Sequence, residues 1–302
     1  GVFPIDTFLH YDSAFRILTG EYPFKDYWVV SGVFVDFLQA FFFKIFGVNW
    51  YSYIFHASIL NVLISILTFY FLIDLNFKKN RAFFYSICFS TLAYPISGTP
   101  FVDLHAVFFC IIATYFTFYA IKKPEEYLNW FLVVSFYFFA FFSKIVPTAY
   151  FLTLNALVIF FYLIVIKKMK PFIFIFLSSL FYLLIFVLSL KILDIELNDF
   201  YIQYIDYPLS IGSDRVNNSS RTVMSFFTFS KFILIPFLFV LFFKIRKILK
   251  KKISFSSSEF ISFIIFSILF ISLILHQSIT KNQIFIYFLI PLSFALLEIE
   301  IK

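Results

Sequence analysis

Nine apolar runs fill the chain from Tyr51 to Glu300, at about 51–73, 82–98, 104–121, 127–143, 147–166, 171–193, 229–246, 258–275 and 283–300. A bilayer crossing needs roughly 20 mostly apolar residues, and these runs come close to that length with short turns between them. The pattern predicts an all-α, polytopic transmembrane helical bundle. Odd-numbered turns are basic: Lys78, Lys79 and Arg81; Lys122 and Lys123; Lys167, Lys168 and Lys170; and Lys244, Arg246, Lys247, Lys250, Lys251 and Lys252. The positive-inside rule places these four turns in the cytoplasm. The segments 1–50, 99–103, 144–146, 194–228 and 276–282 then face outside. The expected organisation is an outer first loop over 1–50, membrane helices over 51–193, an outer loop over 194–228 and C-terminal membrane helices over 229–302.

The first 50 residues carry their own helical pattern. Phe8, Tyr11, Phe15 and Leu18 share one face of a helix over Thr7 to Leu18. Asp6 and Thr7 stand where a cap belongs, and Gly20 stands at the usual C-terminal stop. Ser31 to Phe46 reads as a second helix, closed by Gly47 and lying at the outer membrane surface, since Asp36 and Lys44 suit an interface better than a crossing. Tyr201, Tyr204, Ile205, Pro208 and Leu209 predict a short interfacial helix. The polar run Ile211 to Arg221 reads as a mobile loop, with incidental glycosylation sequons at Asn217 and Asn218.

Composition sharpens this picture. The chain is 62% hydrophobic with a mean hydropathy of +0.95, far above the 45–50% apolar content of soluble domains. The net charge of +7 comes from turn lysines and arginines, so it marks topology and not a nucleic-acid partner. Cys88 and Cys110 lie inside apolar runs and read as small buried hydrophobes. The chain opens on Gly1-Val-Phe-Pro-Ile-Asp6 without a Met, and a preceding span is expected to be missing.

Polar clusters with chemical potential all fall on the outer side. Asp6 and His10 are four apart, on one face of the first helix, with Asp12 beyond; Asp6 reads either as a cap or as a reactive carboxylate. Gly20-Glu-Tyr-Pro-Phe-Lys-Asp26-Tyr-Trp28 is a turn with interfacial aromatics, either an anchor or a substrate contact. Asp103 and His105 stand at the lip of a span, where ionisable groups usually have a reason; as a metal site they supply two ligands. Lys144 is a lone cation in a very short outer turn, fit for snorkelling or for a phosphate. His276, Lys281 and Gln283 gather in a late outer loop before a span, a cradle for a phosphate group.

The segment Asp6, then Ile17-Leu-Thr-Gly20-Glu-Tyr-Pro23-Phe-Lys-Asp26-Tyr, then Phe43-Lys-Ile-Phe-Gly47 resembles the first outer loop of the GT-C superfamily of integral-membrane glycosyltransferases. The nearest types are the dolichyl-phosphate-mannose protein mannosyltransferases and the bacterial aminoarabinose transferases. The resemblance implies two juxtamembrane helices after a first span. It also implies a catalytic base at Asp6. The family's acidic pair is reduced here to Asp6-Thr7, with Asp12 or Asp26 as compensating acids. Asp103 falls at the family's second-loop acid, and Lys281 and Gln283, before Phe288-Leu-Ile-Pro291, resemble the late loop that meets the lipid phosphate.

The resulting expectation is an inverting sugar transfer in the outer leaflet. The donor is a polyprenyl-phosphate sugar, and the acceptor is a lipid, glycan or protein. Lys144, His276 and Lys281 hold the phosphate, Asp6 deprotonates the acceptor, and His10, Asp12, Asp26 and Gln283 line the substrate. A divalent metal at Asp103 and His105 stays open, because metal dependence varies within the superfamily. The expected location is a bacterial plasma membrane with the site facing the periplasm. A transporter or flippase of lipid-linked sugars, a polysaccharide polymerase or ligase, and a membrane scaffold are the alternatives.

Overall fold

A computed structural model of the chain describes residues 4–95, 98–217, 223–250, 254, 257–279 and 285–302, with side chains described in these segments except at 4–7, 213–217 and 223–226. Among the described residues there is no strand, only an isolated bridge between Pro23 and Tyr27. The helices are α1 (Pro4–Thr19), α2 (Val33–Phe46), α3 (Trp50–Asp74), α4 (Lys79–Ala93), α5 (Val102–Lys122), α6 (Tyr127–Ser143), α7 (Ile145–Val165), α8 (Lys170–Ile192), α9 (Leu197–Phe200), α10 (Tyr207–Asn217), α11 (Val223–Leu249), α12 (Ser258–Ile279) and α13 (Leu289–Ile301). A π-helical turn, Tyr201–Asp206, joins α9 to α10.

Five of these helices, α3, α5, α7, α8 and α12, are long and apolar enough to cross a membrane, and α6 is a shorter apolar helix. The helix α8 settles which solvent surrounds them. Its mean hydropathy is 2.7, yet only 6% of its central window is buried, and twelve of its large apolar side chains are exposed. At a minimum of about 1.5 kcal/mol per side chain, leaving these in water forgoes about 18 kcal/mol. That exceeds the 5–15 kcal/mol net stability of an ordinary domain. The chain is a helical integral-membrane protein, and α8 faces lipid.

Two expected runs are shorter as helices than their apolarity implied. The run 82–98 is helical only as far as Ala93, because Tyr94 precedes Pro95 and the residue before a proline is driven out of the α region. In the described part of the run 283–300, from Phe285 on, the helix begins at Leu289, after a turn at Tyr287 and Phe288, with Pro291 in its first turn. There a missing N–H leaves no bond broken.

The core is built around α5, which is 89% buried across its central window. Phe71 of α3 stacks on Tyr115 with ring centroids 4.1 Å apart, and the Tyr115 hydroxyl meets Thr68 Oγ1 at 3.0 Å. Ion pairs sort the ends of the bundle. At one end Arg81 pairs with Glu298, Lys168 with Glu125, Lys302 with Glu298, and Lys244 and Lys247 with Glu300. At the other lie His10 with Asp36, Lys25 with Asp194, and Lys144 and His276 with Asp103. The basic turns and the acid- and histidine-bearing segments therefore occupy opposite ends, as their charge alternation requires.

The described part of the first 50 residues forms the two helices α1 and α2, with differences from expectation. The helix α1 already includes Pro4, ahead of the expected start at Thr7. Asp6 therefore lies within the helix and is not its cap. Gly20, at φ 93°, ends the helix as expected, and the Glu21 N–H closes it on the Arg16 carbonyl at 2.9 Å. The helix α2 begins at Val33 after Gly32, at φ 87°. Asp36 is 1% exposed, so this acid faces protein and not the headgroups. The run Ile211 to Asn217, expected as a loop, is helical. Pro208 follows directly on the π-helical turn, within one continuous helical run from Leu197 to Asn217. Residues 218–222 lie outside the described residues.

Candidate functional site

Asp103 is the centre of the polar end. It occupies the first turn of α5, where a negative charge meets the positive helix terminus, and its side chain is 3% exposed. Its two carboxylate oxygens go to different helices. Lys144 Nζ donates to Oδ2 at 2.6 Å, and His276 Nε2–H donates to Oδ1 at 2.8 Å. Lys144 is the single residue between α6 and α7, extended at φ −161°, so the helix break itself delivers the ammonium inward. His276 lies in the last turns of α12, not in a loop. The Tyr150 hydroxyl of α7 is buried and has no partner among the described residues.

A second polar cluster joins α1, α2, α3 and α5. His10 Nδ1–H donates to Asp36 Oδ1 at 2.6 Å. Burial pushes the Asp36 carboxyl up, and His10 opposes the shift. Gln39 Oε1 is 2.8 Å from His56 Nδ1, His56 Nε2 is 3.0 Å from His105 Nε2, and His105 Nδ1 is 2.9 Å from the Phe101 carbonyl. All five side chains are buried. Gly32 is required here by close approach as well as by φ. A Cβ on it would stand 2.5 Å from His10 Cε1 and 2.6 Å from Val102 Cγ1.

The turn between α1 and α2 is fastened to the segment that follows α8. Gln203, in the π-helical turn, accepts from the Val29 N–H at 3.0 Å and donates to the Phe24 carbonyl at 2.8 Å. Lys25 pairs with Asp194 at 2.9 Å. Beside this strap an apolar groove of about 620 Å³ runs between α6, α7 and α8, lined by Tyr137, Phe138, Phe142, Phe160, Tyr182 and Phe186 among others. Its α6 wall ends at Phe141 and Phe142, two residues before Lys144.

The structure gathers some of the expected residues and separates others. Asp103, Lys144 and His276 form one site. His10 belongs to the neighbouring histidine cluster. Asp12 is exposed and paired with Arg16, and Asp26 accepts the Tyr22 N–H at 2.7 Å, so it holds the turn together. Asp103 and His105 take different partners, and among the described residues no group of three or more His, Cys, Asp or Glu side chains is placed to hold a metal. The Asp6 side chain, Lys281 and Gln283 lie outside the described residues. Asp36, Gln39, His56, Tyr150 and Gln203 were missed by the sequence reading; a carboxylate and an amide within the apolar stretch Val33 to Phe46 were the available signal. No family model matches the sequence, and no curated protein and no solved structure matches it either.

Proposed function

We propose that the chain is a membrane glycosyltransferase of the GT-C kind, moving a sugar from a polyprenyl-phosphate donor to an acceptor at the outer face of a bacterial plasma membrane, with nine crossings. The observation that carries this reading is the position of Lys144. It follows closely on Phe141 and Phe142, which line one end of an apolar groove, and its ammonium bonds a buried carboxylate–imidazole pair. On this reading a polyprenyl tail occupies the groove and its phosphate is taken by Lys144 and His276. Departure of the phosphate builds negative charge, which preorganised donors stabilise. In the resting arrangement both donors are held by Asp103, so the phosphate takes over bonds that are already oriented. Asp6, within α1, is the general base for the acceptor, and inversion follows from a single displacement.

The test is transfer of radiolabelled sugar from a polyprenyl-phosphate-sugar mixture in membranes, wild type against Asp6→Asn at equal expression. Transfer by the wild type, lost in the variant, supports both the class and the base. Transfer that survives moves the base to another outer acid. No transfer from any donor turns the reading to a transporter or a scaffold.

A further inference from the structure

A cavity of about 360 Å³ lies at the end of the bundle that carries the basic turns, where α3, α5 and α13 end and α12 begins, beside α11. Phe118, Val240 and Phe266 give it apolar surface, and Asp74, Lys122, Lys244, Glu259 and Glu300 give it charge. Part of that charge is settled within the protein. The Lys244 side chain, 7% exposed, pairs with Glu259 Oε1 at 2.5 Å and with Glu300 Oε1 at 2.7 Å, and Lys247 reaches the second Glu300 oxygen at 2.9 Å.

The rest of the charge is open. The Lys122 ammonium stands 4.5 Å from the Phe118 ring centroid and has no ion pair among the described residues. Asp74 accepts the Tyr119 hydroxyl on Oδ2 at 2.6 Å, and Glu259 accepts Lys244 on Oε1, so each keeps a second oxygen unused among the described residues. Ser262 also lines the cavity. It is 6% exposed, and its hydroxyl has no partner among the described residues. Buried helical serines such as Ser135 and Ser178 instead donate to a carbonyl one turn back. An unpaired buried hydroxyl is exceptional in a folded protein and calls for a partner.

From these groups we infer that the cavity binds a phosphodiester carrying a primary ammonium, the headgroup chemistry of an aminophospholipid. An ammonium has three N–H donors and no acceptor, which suits the open oxygens of Asp74 and Glu259. A phosphodiester accepts from the Lys122 ammonium and from the Ser262 hydroxyl. A purely anionic ligand would set its charge against the two carboxylates, and a purely cationic one would set its charge against Lys122. The apolar surface suits the glycerol and the first methylenes of a lipid, and the basic turns place the cavity near the headgroup level of their leaflet. The site lies at the opposite end of the bundle from Asp103 and stands whether or not the chain transfers a sugar.

Full-length protein, delipidated in detergent, is titrated with short-chain phosphatidylethanolamine, phosphatidylcholine and phosphatidylglycerol, and bound lipid is read by native mass spectrometry. Phosphatidylethanolamine should bind saturably and at least about tenfold more tightly than the other two, because choline offers no N–H donor and glycerol no cation. Asp74→Asn, which still accepts from Tyr119, and Lys122→Gln should each weaken that binding about tenfold or more. Ser262→Ala separates binding from folding. Without lipid its melting temperature should equal or exceed that of the wild type, since the lost hydroxyl had no partner, while its affinity should fall about tenfold. Competition by glycerophosphoethanolamine at the affinity of the lipid supports the same chemistry and assigns the site to a soluble ligand; failure to compete assigns it to the lipid. Equal binding of the three lipids overturns the assignment, and so does unchanged phosphatidylethanolamine affinity in the three folded variants.

Discussion

Replacing either partner of the Lys144–Asp103 pair should destabilise the protein, and the two replacements should be unequal. Asp103 is 3% exposed and Lys144 20%. Removing one partner of a buried pair costs about 3–5 kcal/mol, because the other charge is left uncompensated. Lys144→Met leaves a carboxylate that cannot reach water and keeps only the His276 imidazole, so it should show the full loss. Asp103→Asn leaves an ammonium with partial access to solvent and an amide oxygen that still accepts from His276. Its cost should be nearer 2 kcal/mol, the strength of one hydrogen bond to a charged group. The double variant should recover part of the loss, with a coupling of about 2 kcal/mol. Unfolding in mixed detergent micelles, followed by circular dichroism, measures all four proteins. A coupling within the 0.2–1 kcal/mol range of exposed pairs, or an inverted order of the two single variants, refutes the buried-pair reasoning.

Other outcomes follow from the same geometry. Gly32→Ala should cost about 2–4 kcal/mol, combining left-handed strain with overpacking against His10 and Val102. Gly20→Ala, with φ 93° but open space around it, should cost only about 1–2 kcal/mol in the same unfolding assay. Gln203→Leu leaves the Val29 N–H and the Phe24 carbonyl without their partner, so hydrogen exchange should rise across residues 20–30 while the membrane helices keep their protection. The raised Asp36 carboxyl means that the folded protein holds this proton more tightly than the unfolded chain. Its contribution is complete below the unfolded value near 4 and is lost as pH rises through the folded value. The wild type should therefore lose stability relative to Asp36→Asn as pH is raised from about 4, and a flat difference with pH counts against this.

The apolar runs made the long helices readable, because the bilayer imposes a length on each. Gly20 and Gly47 made the stops of α1 and α2 readable, because both take a positive φ at a helix end. The charge alternation separated the two ends of the bundle before any contact was known. The pairing within the polar end was not readable in the same way. Asp103 draws its partners from α6–α7 and α12, 41 and 173 residues away, and no local spacing encodes such a contact. Asp36 looked interfacial because its helix is short, whereas His10 on the packed α1 buries it. The α10 helix escaped because its polar composition resembles a loop, whereas it continues the helical run begun at Leu197.

The most direct test of the central claim is sugar transfer in proteoliposomes, using purified full-length protein and a defined polyprenyl-phosphate sugar placed in one leaflet. The account predicts inverted product and stoichiometric polyprenyl phosphate when the donor lies in the leaflet on the Lys144 side, with transfer strongly reduced in Lys144→Met. Movement of intact donor between leaflets without cleavage of the sugar–phosphate bond would contradict it.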